Sequence, residues 1–248
     1  MTVRDRPRPT PDRARTDLTA FLFTLYVGVL LCIVAPPLWL ALLVLPRGYW
    51  PGQALRSCAR LVIRVSGCAL DVDGADRLRA SIPAVLVANH TSYLDSVVLM
   101  AALPIECRFV ANHGLATLPF IGTAIRKAGY LTVNRSKMKN RAACMSDMIR
   151  SLRGGTSVVV YPEGTTSRTR ELLPFRLGAF KAAVETGRPV VPITLSGTAR
   201  IWPRGSWVIR RGAIGVRIHA PIDVAARDRA DVMRVRESAR SAIESARH

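Results

Sequence analysis

The pattern of hydrophobic and polar residues divides the chain into three parts. Residues 1–17 hold five arginines and three prolines among few apolar residues, a composition typical of a flexible basic tail. Residues 18–50 are mostly apolar and predict membrane-associated hydrophobic helices. Residues 51–248 alternate short β-branched runs with longer helical patterns, which predicts one folded domain.

The hydrophobic segment contains a break. Residues 18–35 form a charge-free run that would extend about 27 Å as a helix, slightly less than a hydrocarbon core of about 30 Å. Pro36 and Pro37 then interrupt it before a shorter apolar run. A single span is one interpretation, but the short lengths favour a helical hairpin that enters one leaflet and returns. Arginines on both sides fit this arrangement, with both ends on the cytoplasmic face of the cell membrane. The run lacks the small-residue cleavage site of a signal peptide.

The domain that follows has the pattern of an α/β protein. Helical stretches separate its β-branched runs, and this alternation predicts a mostly parallel sheet flanked by helices. With the apolar segment, the predicted fold is an α/β domain preceded by an N-terminal membrane-associated helical hairpin. Residues 225–248 place apolar side chains on one face and predict an amphipathic closing helix. The predicted strands are ALDVDG, IPAVLVANH, CRFVA, YLTVN, TSVVVYPEG, PVVPITLSG and AIGVRIHAP.

Charge narrows the possible partners. The 36 basic and 17 acidic residues give a net charge of +19, which attracts either nucleic acid or an anionic membrane surface. Aromatic residues make up only 6% of the chain and do not alternate with basic residues, so base stacking is disfavoured. We expect an anionic membrane surface as the partner, and no nucleic acid. The five cysteines show no CxxC pairing and the four histidines are scattered, so we expect reduced thiols and no metal site.

The first candidate site is LVANHTSYLDS, at residues 86–96, where a predicted strand ends at His90 and a helix is expected to start near Asp95. The turn between them would let the carboxylate reach the imidazole and fix its tautomer, leaving His90 as a general base. The alternative is that Asp95 is an ordinary helix N-cap and His90 a loop residue. The spacing alone is a weak signal and does not decide between them.

The second candidate site is VVVYPEGTTSR, at residues 158–168, where another predicted strand ends. Glu163 would accept hydrogen bonds from a polyol, while hydroxyls, amides and Arg168 would hold an anionic head group. The alternative is a polar turn without further function, since these residue types are common in turns.

Together, the two motifs resemble those of a known family. NHTSYLD and YPEGTTSR are similar to the NHxSxxD and FPEGTxSR motifs of the lysophosphatidate acyltransferase (PlsC) family of glycerolipid acyltransferases. The block that ends at Arg135 and the PVVPITLSG block also resemble that family, in the same order along residues 72–221.

The resemblance implies that residues 51–248 form an acyltransferase domain. Such an enzyme transfers a fatty acyl group from a thioester, on coenzyme A or on acyl carrier protein as a partner, to a hydroxyl of a lysophospholipid. Lysophosphatidate is the first expected acceptor, which would give phosphatidic acid. The resemblance implies no cofactor and no acyl-enzyme, and the chain has no GxSxG motif.

The resemblance also implies roles for individual residues. His90 would deprotonate the acceptor hydroxyl, and Asp95 would orient His90 and stabilise its charge. The acceptor's glycerol and phosphate would be held by Glu163, Gly164, Thr165, Arg135 and Arg168.

The chain departs from the family pattern where cations are expected. It reads NHGL at residues 112–115 where the family usually has KxEL, VNR at 133–135 where IDR is frequent, and Thr166 where an arginine is common. Two cationic positions that would face a phosphate are therefore absent. A different acceptor, such as lyso-ornithine lipid, is the alternative to lysophosphatidate.

Overall fold

The computed structural model describes residues 11–134, 138–167, 171–225 and 228–247. Its strands are β1 (Ala69–Asp73), β2 (Val85–Ala88), β3 (Cys107–Asn112), β4 (Leu131–Val133), β5 (Ser157–Val160), β6 (Val190–Ser196) and β7 (Ala213–Ile218). Its α-helices are α1 (Pro11–Val44), α2 (Tyr49–Ser66), α3 (Ala75–Arg79), α4 (Leu94–Ala102), α5 (Pro119–Lys127), α6 (Met138–Arg153), α7 (Gly178–Thr186), α8 (Thr198–Ile201) and α9 (Arg229–Ser245). A short 3₁₀ turn, His113–Thr117, precedes α5.

The strands form one seven-stranded sheet in the order β1-β7-β6-β2-β5-β3-β4. Every neighbouring pair is parallel except β6 and β7, which are antiparallel. The mostly parallel sheet predicted from the alternating pattern is confirmed. Six of the seven strands lie within the predicted runs, and β3 extends one residue beyond its run, to Asn112.

Helices cover both faces of the sheet. Leu86 and Ala88 of β2 pack on one face with residues of α2, α3 and α4, while Val85 and Val87 pack on the other with α6, α7 and α9. All four side chains are fully buried. A strand buried on both faces needs a continuous apolar run instead of alternation, and the sequence of β2 has such a run.

The N-terminal helix corrects the predicted turn at Pro36 and Pro37. Helix α1 continues through both prolines to Val44, and the chain reverses only at residues 45–48. Proline's fixed φ, near −65°, is compatible with a helix, so two adjacent prolines remove hydrogen-bond donors without forcing a turn. The second arm of the hairpin is therefore α2, whose buried face packs on the sheet. Because α2 starts at Tyr49, the predicted boundary between the hydrophobic segment and the domain, after residue 50, lies inside this helix.

The start of α1 also falls within the predicted basic tail. Residues 1–10 of that tail lie outside the described residues, while residues 11–17 form the beginning of α1.

Helix α1 is attached to the α/β domain at two distant points. The hydroxyl of Thr24 accepts a hydrogen bond from the Ile209 amide at 2.9 Å, and Lys127 Nζ donates to the carbonyls of Leu43 and Leu45 at 2.9 and 2.8 Å. Because these points are separated by about 30 Å of helix, α1 lies along the domain surface instead of projecting from it.

Much of α1 nevertheless remains uncovered. Among the described residues, one helical segment, Leu18–Val44, is long and apolar enough to cross a membrane, with 27 residues and a mean hydropathy of 2.5. Only 11% of its most apolar window is buried. Its most exposed large side chains include Leu18, Phe21, Leu22, Leu25, Val29, Ile33, Leu40 and Val44.

Candidate active site

Both sequence motifs follow the carboxyl ends of neighbouring parallel strands. His90 lies two residues after β2, and Glu163 lies three residues after β5. Because β2 and β5 pair directly and in parallel, their ends meet at the same edge of the sheet. Asn89 ties this edge to β6 on the other side, since its side chain donates to the Leu195 carbonyl at 3.0 Å and accepts from the Leu195 amide at 2.8 Å.

The structure brings His90 and Asp95 together. His90 Nδ1 lies 2.9 Å from Asp95 Oδ2. The Asp95 side chain is fully buried, whereas 17% of the His90 side chain is exposed. The imidazole is therefore reachable from the surface while its carboxylate partner is shielded from water.

The turn before α4 determines which imidazole nitrogen carries the proton. Asp95 Oδ2 also accepts hydrogen bonds from the amides of Thr91 and Ser92, at 2.7 and 2.9 Å. An oxygen that accepts from two amides acts as an acceptor toward the ring as well, so Nδ1 carries the proton and Nε2 is left as the basic atom. The N-cap of α4 is Tyr93, so the alternative of Asp95 as an ordinary N-cap does not describe this turn.

Glu163 connects the two motif turns. Its side chain is 3% exposed. Oε1 accepts from the His90 amide at 2.8 Å, and Oε2 accepts from the Leu173 amide at 3.0 Å. Burial raises the pKa of Glu163, and these two amide hydrogen bonds oppose that shift. Both oxygens thus bond to the protein's own main chain; contact with the acceptor's glycerol stays a prediction.

The next two residues turn the chain at the sheet edge. Gly164 has a positive φ of 74°, and a Cβ placed there would lie 2.5 Å from Nε of Arg176. Glycine is therefore favoured by both the backbone angle and the neighbouring side chain. Thr165 is exposed at this turn. The remaining predicted acceptor-binding residues, Arg135 and Arg168, lie outside the described residues.

Sequence reasoning missed the role of Tyr161. Its ring stacks on the His90 imidazole with a centroid distance of 4.1 Å and an interplanar angle of 17°. Its hydroxyl lies 3.2 Å from Ser96 Oγ, next to Asp95 in the chain. Burial raises the pKa of Tyr161, and the nearby Asp95 raises it further. The sequence did contain a signal for this residue, since an aromatic side chain ends a predicted strand directly before Pro-Glu-Gly.

Segment 202–209 also contributes to this site without any sequence motif. The Trp202 carbonyl accepts a hydrogen bond from Ser92 Oγ at 2.6 Å, and Pro203 forms an isolated β-bridge with Ser92. The ring of Trp202 contacts that of Tyr93 edge-on, with centroids 5.9 Å apart. The segment is thereby fixed against the turn that holds His90.

The described ranges contain no group of three or more His, Cys, Asp or Glu residues that could hold a metal ion. The geometry instead offers a histidine base oriented by a buried carboxylate. An imidazole in this arrangement is suited to removing a proton from a hydroxyl.

The chain is similar to proteins that are named as acyltransferases. A chloroplastic 1-acyl-sn-glycerol-3-phosphate acyltransferase of Brassica napus is 38% identical over 154 residues, which cover 61% of this chain and 44% of the relative. The human 1-acyl-sn-glycerol-3-phosphate acyltransferase beta is 32% identical over 167 residues, covering 67% of this chain and 60% of the relative. The chain thus spans less than half the length of the plant relative.

The fold has a counterpart among solved structures. The crystal structure of the 1-acyl-sn-glycerophosphate acyltransferase PlsC from Thermotoga maritima superposes with a TM-score of 0.72, covering 95% of this chain and 98% of that one. Sequence identity is 21%, so the likeness concerns the fold. Residues 69–196, just over half of the chain, match the family described as Acyltransferase, and they include both motif turns. The chain therefore belongs to the Acyltransferase family.

Proposed function

We propose that the protein transfers a fatty acyl group from an acyl thioester to the free hydroxyl of a lysophospholipid. The acceptor is 1-acylglycerol 3-phosphate, and the product is phosphatidic acid. The donor is acyl-CoA or the acyl thioester of acyl carrier protein. The observation that carries the proposal is the 2.9 Å contact between His90 Nδ1 and the buried carboxylate of Asp95.

In this mechanism His90 is the general base. Nε2 takes the proton of the acceptor hydroxyl as its oxygen attacks the thioester carbonyl carbon. The carbon–sulfur bond then breaks, and the imidazolium returns the proton to the leaving thiolate. Asp95 stabilises the positive charge that His90 carries in between, and Tyr161 holds the ring plane by stacking. Since the hydroxyl attacks directly, no acyl-enzyme forms.

Two lines of support favour lysophosphatidate as the acceptor. The relatives from Brassica napus and human are both named as 1-acyl-sn-glycerol-3-phosphate acyltransferases. The sequence order of the motifs also follows that family. The cations absent near residue 112 and at Thr166 keep lyso-ornithine lipid as the alternative acceptor.

We place the enzyme on an anionic membrane surface, at the cytoplasmic face. The exposed apolar side of α1 supports this placement, as does the net charge of +19. Because α1 is bound to the domain at both Thr24 and Leu43, a perpendicular span would pull part of the domain into the bilayer. An orientation in the plane of one leaflet avoids that cost.

The test is a reaction of the purified protein with acyl-CoA or acyl carrier protein thioester and a mixture of lyso-lipids. Lysophosphatidate, lyso-ornithine lipid and monoacylglycerol compete in one vessel, and mass spectrometry identifies the acylated products. We expect phosphatidic acid as the main product, with one thiol released per acyl group transferred. The His90→Ala variant should lose about 10²- to 10⁴-fold in rate.

The matched control is His219→Gln. His219 lies just after β7, which β6 separates from β2 in the sheet, and its ring contacts the Thr194 hydroxyl of β6 at 2.8 Å. A folded His90→Ala variant with the wild-type rate would refute the assignment of the base. Free fatty acid as product in the presence of acceptor would indicate a hydrolase. Salt-dependent DNA binding that survives deletion of residues 1–17, without thioester cleavage, would indicate a nucleic-acid-binding protein.

A further inference from the structure

The turn at Thr166 lacks the arginine that is common in the family, but an arginine from a distant part of the chain contacts it. Thr166 occupies the position where an arginine is common, and its side chain is 8% exposed. Its carbonyl oxygen accepts a hydrogen bond of 2.5 Å from Nη1 of Arg204, which is 38 residues further along the chain. A guanidinium therefore lies directly at the turn despite the substitution.

The position of Arg204 is fixed by its neighbours. Trp202 and Pro203, immediately before it, are held by Ser92 through a 2.6 Å hydrogen bond and a β-bridge. Further along the same segment, the Ile209 amide donates to the hydroxyl of Thr24 on α1. The segment thus presents Arg204 between the two motif turns from a braced backbone.

Arg204 lies within the reach of an acceptor bound at His90. The peptide group that joins Thr166 to Ser167 accepts from Arg204 and also donates its N–H to the His90 carbonyl at 2.8 Å. With the dimensions of a peptide group, Arg204 Nη1 is no more than about 8 Å from the His90 carbonyl oxygen. In a glycerol 3-phosphate, the phosphorus is only four bonds from the oxygen of the neighbouring hydroxyl, so one small head group spans both residues.

The guanidinium also has unused binding capacity. Within the described ranges, Arg204 forms no ion pair, and its Nε and Nη2 groups make no hydrogen bond. Arg176, which packs over Gly164, likewise has no carboxylate partner there. Glu163 does not neutralise either of them directly, because its oxygens are bonded to main-chain amides. A half-buried, unpaired guanidinium beside a reactive site is suited to a phosphate group, which it can bind through two parallel hydrogen bonds.

We propose that Arg204 binds the phosphate monoester of the acceptor and takes the place of the cation missing at Thr166. This inference rests on the proposed acyl transfer. Arg204 binds the phosphate with the Nε and Nη2 edge, while Nη1 remains on the Thr166 carbonyl. Arg176 adds a second positive charge near Gly164 of the same turn. The acceptor is thereby selected for a phosphate, although the turn itself carries a threonine.

Steady-state kinetics of Arg204→Gln tests the proposal. We expect the KM for lysophosphatidate to rise about 10- to 100-fold, as for the loss of a charge-assisted hydrogen bond. The KM for the acyl donor and the rate with monoacylglycerol, which lacks a phosphate, should stay at wild-type values. Arg204→Lys should retain part of the affinity, and Thr166→Arg added to Arg204→Gln should restore most of it.

The matched control is Arg210→Gln, which changes an exposed arginine of the following stretch. Among the described residues, the side chain of Arg210 makes no hydrogen bond or ion pair, so its loss should leave both KM values unchanged. An unchanged lysophosphatidate KM in folded Arg204→Gln would overturn the proposal. If the KM for the acyl donor rose and the KM for lysophosphatidate did not, Arg204 would be assigned to the phosphates of coenzyme A. That result would also overturn the proposal.

A second measurement needs no variant. Phenylglyoxal modifies accessible arginines, and mass spectrometry follows each site in the wild-type protein. Glycerol 3-phosphate should protect Arg204 from modification and leave Arg210 reactive. If Arg204 were modified to the same extent with and without glycerol 3-phosphate, the proposal would be contradicted. If the wild-type protein acylates no lyso-lipid at all, the proposed function fails, yet this protection experiment still decides whether Arg204 binds a phosphate.

Discussion

Glu163 holds the His90 amide through a hydrogen bond of 2.8 Å, across 73 residues of sequence. The second oxygen of Glu163 binds the Leu173 amide at 3.0 Å, so one buried carboxylate joins the base-bearing turn, its own turn and the segment leading to α7. We infer from this geometry that Glu163 positions His90. The carboxylate contacts that the structure describes are to main-chain amides, and the expected contact of Glu163 with the acceptor stays a prediction.

Replacing Glu163 with Gln should lower kcat more than it changes the acceptor KM. A glutamine offers one oxygen to two amide donors, so one amide loses its acceptor and the His90 turn shifts. A displacement of about 1 Å can cost on the order of 100-fold in rate. Unfolding in denaturant should also show a loss of about 1 to 3 kcal/mol.

The control for this substitution is Glu185→Gln on α7. Glu185 is 52% exposed and lies 3.7 Å from Arg153, so its loss should change neither kcat nor stability by much. A Glu163→Gln variant with wild-type kcat and a strongly raised acceptor KM would show instead that Glu163 contacts the acceptor.

Substitution of Asp95 should separate its charge from its hydrogen bonds. In Asp95→Asn, the side-chain oxygen can still accept from His90 Nδ1, Thr91 and Ser92, but the negative charge opposite the imidazolium is lost. We expect kcat to fall about 100-fold or more. The melting temperature should fall less than in Asp95→Ala, although the new NH₂ group replaces Oδ1, which is buried without a hydrogen-bond partner in the structure described.

Asp95→Ala should lose both activity and stability, because two buried amides are left without an acceptor, each at a cost of about 1 to 3 kcal/mol. Circular dichroism melting of the two variants measures the difference. Equal activity of Asp95→Asn and the wild type would remove Asp95 from the mechanism.

Acid should destabilise the fold partly through His219. Burial lowers the pKa of His219, and the charges of Arg217 and Arg77 lower it further, while Asp73 opposes them. Folding therefore favours the neutral form of the ring, whose Nε2 lies 2.8 Å from the Thr194 hydroxyl oxygen.

Because the folded protein binds this proton more weakly than the unfolded chain, His219 contributes stability above its unfolded pKa of about 6.5. That contribution is lost as the pH falls through the lower folded pKa. Urea unfolding at pH 7.5 and at pH 5.5 measures it. We expect a smaller loss of unfolding free energy on acidification in His219→Gln than in the wild type; parallel losses in both would contradict the assignment.

Vesicle binding should shield Cys32. This thiol is exposed on α1, whereas Cys107 and Cys144 are buried, and burial raises their pKa values to about 12 and about 11. A polar maleimide should therefore label Cys32 in the free protein and do so much more slowly after anionic vesicles are added.

The control places the reporter on α9, on the other face of the sheet, by combining Cys32→Ser with Ser245→Cys. Ser245 is exposed there, so labelling at that position should not respond to vesicles. The same probe distinguishes an in-plane helix from a full span. Single cysteines in residues 1–17 and at Arg47 should both react from outside the vesicles, whereas a full span would hide one of them.

Most of the fold could be predicted from the sequence, because the signals for strands and for helix ends lie within short stretches of the chain. The uninterrupted apolar runs of β2 and β5 predict strands buried on both faces, and the glycines after α6 and α7 mark where those helices stop. Pro36 and Pro37 misled the prediction, since the turn actually follows Val44. Helix α2 was not predicted, although its sequence is amphipathic and places Ala59 and Ile63, four residues apart, on the face that packs on the sheet.

The sequence by itself determined the order of the elements, the mostly parallel sheet and the pairing of His90 with Asp95, because short local patterns signal each of them: the alternation of strands and helices for the sheet, and a five-residue spacing for the pair. The tertiary structure alone decided that Glu163 and Tyr161 contact His90 and that Arg204 contacts the carbonyl of Thr166. Their contacts cross 38 to 73 residues and depend on which strands become neighbours in the sheet. No local pattern encodes that adjacency, so the sequence alone did not place Arg204 at the carbonyl of Thr166, the position where the family's arginine is absent.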